Sequence, residues 1–123
     1  MALLDGGNKG ELVGDIYFPT GVQRHVLDKR HKFYTMSKVF DFLFKLPAHP
    51  YVEEYHDCDD FAQEAITALH EEFPGIPVGF ASGLNERGQA HAVIILFTSW
   101  GRIYYDPTAK KQLNGFNVSF ILA

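Results

Sequence analysis

The sequence predicts an α+β domain, and three observations predict it. An apolar stripe of helical period runs from Thr35 to Leu46, and a second from Cys58 to about Phe73. After Gly75 the pattern changes to short apolar runs separated by turns. Helices followed by a strand meander pack on one face of an antiparallel sheet. A length of 123 residues fits one domain over 1–123, and 46% hydrophobic with 15% aromatic residues suffices for a single core.

Residues 1–10 carry Asp5 and three glycines and are expected to be disordered; no apolar run long enough for a signal peptide follows them. Residues 11–34 are poorly patterned, with Ile16-Tyr17-Phe18 reading as a short strand ended by Pro19. In the first helix, Thr35 or Ser37 can cap, and Val39, Phe40, Leu43, Phe44 and Leu46 form the stripe. Pro47 and Pro50 stop it. The second helix places Cys58, Phe61, Ala62, Ala65, Ile66, Leu69 and Phe73 at i, i+3, i+4, i+7, i+8, i+11 and i+15. Asp57 is its natural N-cap, Asp59 and Asp60 suit the positive end of the helix dipole, and Pro74-Gly75 ends it. Strands are predicted over 76–82, 89–98, 102–106 and 116–122, the second apolar on both faces and therefore central.

The remaining bulk properties narrow the partners. A net charge of -4 gives no electrostatic reason to expect nucleic acid or an anionic membrane surface. The longest apolar run, Ala92 to Phe97, is far too short to span a bilayer, so a cytoplasmic location is expected. One cysteine excludes an internal disulfide and a cysteine-rich zinc module, and fits a reducing compartment.

That cysteine is the chemical focus. Cys58 opens a helix in His56-Asp57-Cys58-Asp59-Asp60-Phe61-Ala62; His91 opens a strand in Ala90-His91-Ala92; Asp106 closes the next in Tyr104-Tyr105-Asp106-Pro107. A helix start offers a thiolate partial positive charge and free amides, and the Cys58 amide can donate to a developing oxyanion. An imidazole takes the thiol proton, and an acid on its other nitrogen fixes the tautomer. Singly, each residue has an ordinary structural reading: a buried small hydrophobe, a strand histidine, a turn acid. Their joint order favours a site.

At these residues the chain resembles the transglutaminase-like cysteine proteinases. The resemblance rests on Asp57-Cys58-Asp59-Asp60-Phe61-Ala62, Ala90-His91 and Tyr105-Asp106, and covers about residues 51–110. It implies a papain-like core and a cysteine peptidase or amidase, a hydrolase of peptide or protein amides, with Cys58, His91 and Asp106 as catalytic triad. Some members bind calcium, which would fall here on Asp57 and Asp59. A bound cation would also offset the like-charge repulsion these acids exert on a thiolate. Beside the Cys58 amide, Tyr55 is the candidate second oxyanion donor. Short proteins of tailed bacteriophages look similar at the motif, so a phage-encoded chain is an expectation too. Two alternatives stay open: a degenerate or non-enzymatic relative that binds a partner, and a metal-dependent phosphoryl-transfer site on Asp57, Asp59 and Asp60.

Overall fold

The computed structural model describes residues 10–28, 30–47, 57–99 and 101–123. Two short strands, β1 (Glu11–Val13) and β2 (Ile16–Phe18), form an antiparallel hairpin whose turn starts at Gly14, at φ 63°. Strand β3 (Gln23–His25), helix α1 (Met36–Lys45) and helix α2 (Cys58–Glu72) follow. Then come β4 (Val78–Leu84), β5 (Ala90–Phe97), β6 (Arg102–Asp106), β7 (Lys111–Leu113) and β8 (Asn117–Leu122). Six of these strands make one sheet in the order β3-β8-β4-β5-β6-β7. All neighbours in it are antiparallel except β3 and β8, which run parallel.

Strand β5 is central and apolar on both faces because both faces are covered. Toward the helices, Ile94 and Leu96 pack with Val39 and Leu43 of α1 and with Ala62, Ala65 and Leu69 of α2. On the other face, Val93, Ile95 and Phe97 pack with Ile16 and Phe18 of the hairpin. The Phe18 and Phe97 rings lie 5.2 Å apart between centroids. Arg102, buried in β6, donates from Nη1 to the Tyr17 carbonyl at 3.2 Å and ties the hairpin to the sheet.

The periodic elements lie where the sequence places them, with small shifts at their ends. Helix α2 begins at Cys58, behind a capping box in which the Asp57 amide donates to Asp60 Oδ2 at 3.1 Å and the Asp60 amide turns to the Asp57 side chain. Phe44, assigned to the buried stripe of α1, is instead 67% exposed. Lys110 sits over its ring and donates to the Phe44 and Leu46 carbonyls at the end of that helix.

The expected papain-like α+β core, with N-terminal helices on a small antiparallel sheet, is corrected here. Among the described residues the chain is mostly β, with eight strands against two helices. Strands precede the helices, and the sheet is six-stranded and mixed. The strand read at Ile16-Tyr17-Phe18 is β2, but β1, β3 and β7 are three residues long and too short for a period to register. They form because tertiary packing supplies a partner edge. The expectation of disorder for residues 1–10 falls outside the described residues except at Gly10. Among the described residues, no helix is long and apolar enough to cross a membrane.

Asp15, in the hairpin turn, fastens the hairpin to the chain ahead of α1. Its Oδ2 accepts from the His31 amide at 2.7 Å, and its Oδ1 lies 2.6 Å from His31 Nδ1. Burial pushes the Asp15 carboxyl up, but the hydrogen bonds and charge of His31 outweigh it and hold the group below its ordinary 3.8. An acid with a lowered folded-state value stabilises fully above its unfolded value and loses that contribution as pH falls through the folded one. Asp15→Asn is therefore expected to cost about 1–2 kcal/mol at neutral pH and to flatten the stability profile below pH 3.8. Urea unfolding at several pH values measures both.

Candidate functional site

Three of the residues singled out by the sequence converge where α2 begins and β6 ends. His91 and Asp106 are joined, with Nε2 2.9 Å from Asp106 Oδ2. Asp106 is buried, and its Oδ1 accepts from the Thr108 amide at 2.9 Å and the Ala109 amide at 3.3 Å. The Asp-Pro turn after β6 thus orients the carboxylate, and the carboxylate orients the ring.

Cys58 reaches the sheet through backbone rather than through the imidazole. Strand β5 pairs with β6 from Ile94 to Phe97, so at Ala92 the strand has run past that pairing. The Ala92 amide acts on the Cys58 thiol by favouring its charged form. Strand alternation sets Ala92 with Ile94 toward α2, and His91 with Val93 toward the opposite face. Both Cys58 and His91 border one open cleft of about 400 Å³. Among the described residues, the one side-chain hydrogen bond of the sulfur goes to Asp59 Oδ1 at 3.8 Å, and none goes to His91.

The electrostatics oppose a thiolate. Burial pushes the half-buried Cys58 thiol up; the Ala92 amide pulls it down, and the charges of Asp59 and Asp57 raise it again. The net direction is upward. Asp57 and Asp59, to which the family resemblance assigned calcium, flank the thiol at the start of α2. No group of three or more His, Cys, Asp or Glu among the described residues could hold a metal ion. Asp57 and Asp60 are moreover engaged in the capping box. Tyr55, the candidate oxyanion donor, lies outside the described residues.

His91 and Asp106 also border a second cleft, of about 250 Å³, on the face away from α2. Asn85, Arg87, Gln89, Asn114 and Phe116 line it. Asn85 shapes its rim by accepting at Oδ1 from the Arg87 amide at 2.9 Å and the Gln89 amide at 3.0 Å. Sequence reasoning missed this cleft and the Ala92 contact. The turn around Asn85 was legible, but not that β7 and β8 bring Asn114 and Phe116 beside it. Gly83, the cross-strand partner of His91, permits that approach: a Cβ there would stand 2.1 Å from the Asn117 carbonyl oxygen.

No protein-family profile matches the chain, and no curated protein matches it. Solved structures do. The PSL1a-E64 complex matches with a TM-score of 0.69 at 19% identity, over 83% of this chain and 44% of that one. A Polyporus squamosus lectin bound to a human-type influenza-binding epitope, Neu5Aca2-6Galb1-4GlcNAc, matches with a TM-score of 0.61 at 18% identity, over 85% of this chain and 43% of that one. The chain thus spans less than half the length of the structures it resembles.

These likenesses are of fold, and they correct the family reading. The fold is shared with PSL1a and the lectin, where the motif had pointed to transglutaminase-like proteinases. The inference from that family to a cysteine peptidase or amidase, an enzyme of the thiol protease or hydrolase kind, loses its basis. So do the peptide or protein amide substrate and the degenerate transglutaminase-like alternative, which rested on the same family resemblance.

Iodoacetamide alkylation of Cys58 is expected to be slow at neutral pH and to rise with pH through 9 without a plateau. Asp59→Asn is expected to shift the profile toward lower pH by removing a charge that disfavours the thiolate. A rate already level at pH 7 would contradict an upward-shifted thiol.

Proposed function

We propose that this chain works as a module of a glycan-binding protein and that the surface around His91 is where it meets its ligand. One observation carries the reading: the His91–Asp106 pair stands between two open clefts, one polar and one bordered by Cys58. A convergent set of planar polar groups with one ring suits a hydroxylated ligand. Asn114, Gln89 and Arg87 offer directional hydrogen bonds, and Phe116 offers a face to the C–H side of a sugar. The glycan held by the lectin supports this ligand class, although that property belongs to a protein of which this chain covers only 43%.

A second reading concerns Cys58, and the likeness to PSL1a in its E64 complex favours it. In this reading Cys58 is the group that a thiol-directed ligand meets, His91 receives the proton, and Asp106 holds the ring in the tautomer that allows it. The Ala92 amide supports it by stabilising negative charge on the sulfur.

Titration of the labelled chain with Neu5Aca2-6Galb1-4GlcNAc tests the first reading. Saturable shifts of the Gln89, His91 and Asn114 amides are expected, and Asn114→Ala should weaken binding about fivefold, the loss of one hydrogen bond. No shift at millimolar glycan would sink it. Incubation with E64 or iodoacetamide, followed by mass measurement, tests the second. One adduct is expected on the native chain and none on Cys58→Ser; an unchanged labelling rate in His91→Ala would remove His91 from the site.

A further inference from the structure

A separate cleft of about 460 Å³ lies on the helix face, away from both His91 clefts. Leu43, Leu46 and Pro47 at the end of α1 form one wall, and Phe61, Ala65 and Ala68 of α2, with the Glu64 side chain among them, form another. Its floor is Tyr105 and the turn from Pro107 to Lys110. The cleft exists because α1 touches α2 sparingly and two of the α2 residues facing it are alanines. Strand alternation sets Tyr105 with Ile103 on this face and Asp106 with Tyr104 on the other, so the cleft is independent of the Asp106–His91 pair.

Two polar atoms there are unexplained by the fold. The Tyr105 hydroxyl and the Thr108 hydroxyl are buried and have no hydrogen-bond partner among the described residues, and Tyr105 as a whole is 4% exposed. A buried orphan hydroxyl costs about 1–3 kcal/mol, and phenylalanine and valine would fill the same space without it. Native structures rarely leave two such groups together. The one lysine of the lining, Lys110, is engaged with the Phe44 and Leu46 carbonyls. A size of this order, apolar walls and few polar groups are the features of a small-molecule site.

We propose that this cleft binds a small neutral ligand whose apolar body lies between α1 and α2 and whose carbonyl-type oxygen accepts from the Tyr105 and Thr108 hydroxyls. A carbonyl oxygen has two lone pairs and can take both donors at once. An anion is disfavoured because Glu64 lines the cleft, and the next residue after Tyr105 is the Asp106 carboxylate. That carboxylate, after burial, also raises the Tyr105 phenol, which keeps it a donor.

The test is a titration of the isotopically labelled full chain with acetophenone, ethylbenzene and benzoate, followed by amide shifts. Acetophenone should produce saturable shifts at Ala65, Ala68, Thr108 and Ala109, with ethylbenzene and benzoate each binding roughly tenfold more weakly, the effect of one or two hydrogen bonds. Tyr105→Phe should remove the preference over ethylbenzene while leaving the melting temperature of the ligand-free chain unchanged or higher. Thr108→Val serves the same purpose should the first variant fail to fold. Shifts centred elsewhere, ethylbenzene binding as tightly as acetophenone, or a preference that survives both substitutions would overturn the proposal. A marked fall in the melting temperature of ligand-free Tyr105→Phe would overturn it too, by revealing a partner for the hydroxyl within the fold.

Discussion

Burial of β5 on both faces is the constraint on which this structure depends. Its side chains are fully enclosed from Val93 to Leu96, and enclosure needs a layer on each side. The helices supply one layer and the small N-terminal hairpin the other. A sheet covered on one face alone would leave Ile16, Phe18, Val93, Ile95 and Phe97 in water, an apolar exposure that sheets resolve by adding a cover. The hairpin, inconspicuous as sequence, is therefore half of the core. Asp15 to His31, Arg102 to Tyr17 and Arg24 to Glu11 fasten it in place.

The same strand places the site. Cys58, His91 and Asp106 meet because α2 packs on β5 with its start near Ala92, where the pairing with β6 has ended and a backbone amide is turned to the thiol. Chain geometry brings the three groups to one region without making them one hydrogen-bonded unit. His91 is hydrogen-bonded to Asp106, while the sulfur's own hydrogen bond goes to its neighbour Asp59. Proximity and coupling are different properties, and the energetics of the thiol follow the second.

The carboxylates around Cys58 illustrate how one residue can serve two masters. Asp57 and Asp60 close the first turn of α2 by reciprocal capping, a local requirement of the helix. Asp57 and Asp59 also raise the thiol by charge. Good helix chemistry is here poor thiolate chemistry. The motif that resembles a cysteine proteinase is also, residue for residue, a well-made helix start.

Sequence alone determined the long periodic elements and the chemistry gathered at their ends. Helix α2 from Cys58, the central and doubly buried β5, and β6 ending at Asp106 all follow from periods of 3.6 and 2 that repeat enough to be read. His91 and Asp106 were legible as partners for the same reason, each standing at the end of a recognisable strand. Tertiary structure decided the rest. Apart from β2, which its run of Ile16, Tyr17 and Phe18 announces, strands of three residues have no readable period, so β1, the parallel β3–β8 pair and β7 appear only when another edge receives them. Side-chain direction was also beyond the sequence: whether His91 turns to the thiol or away depends on strand parity against α2. The unpartnered hydroxyls of Tyr105 and Thr108 and the polar cleft around Asn114 exist only through contacts between distant segments, and burial is a property no local pattern fixes.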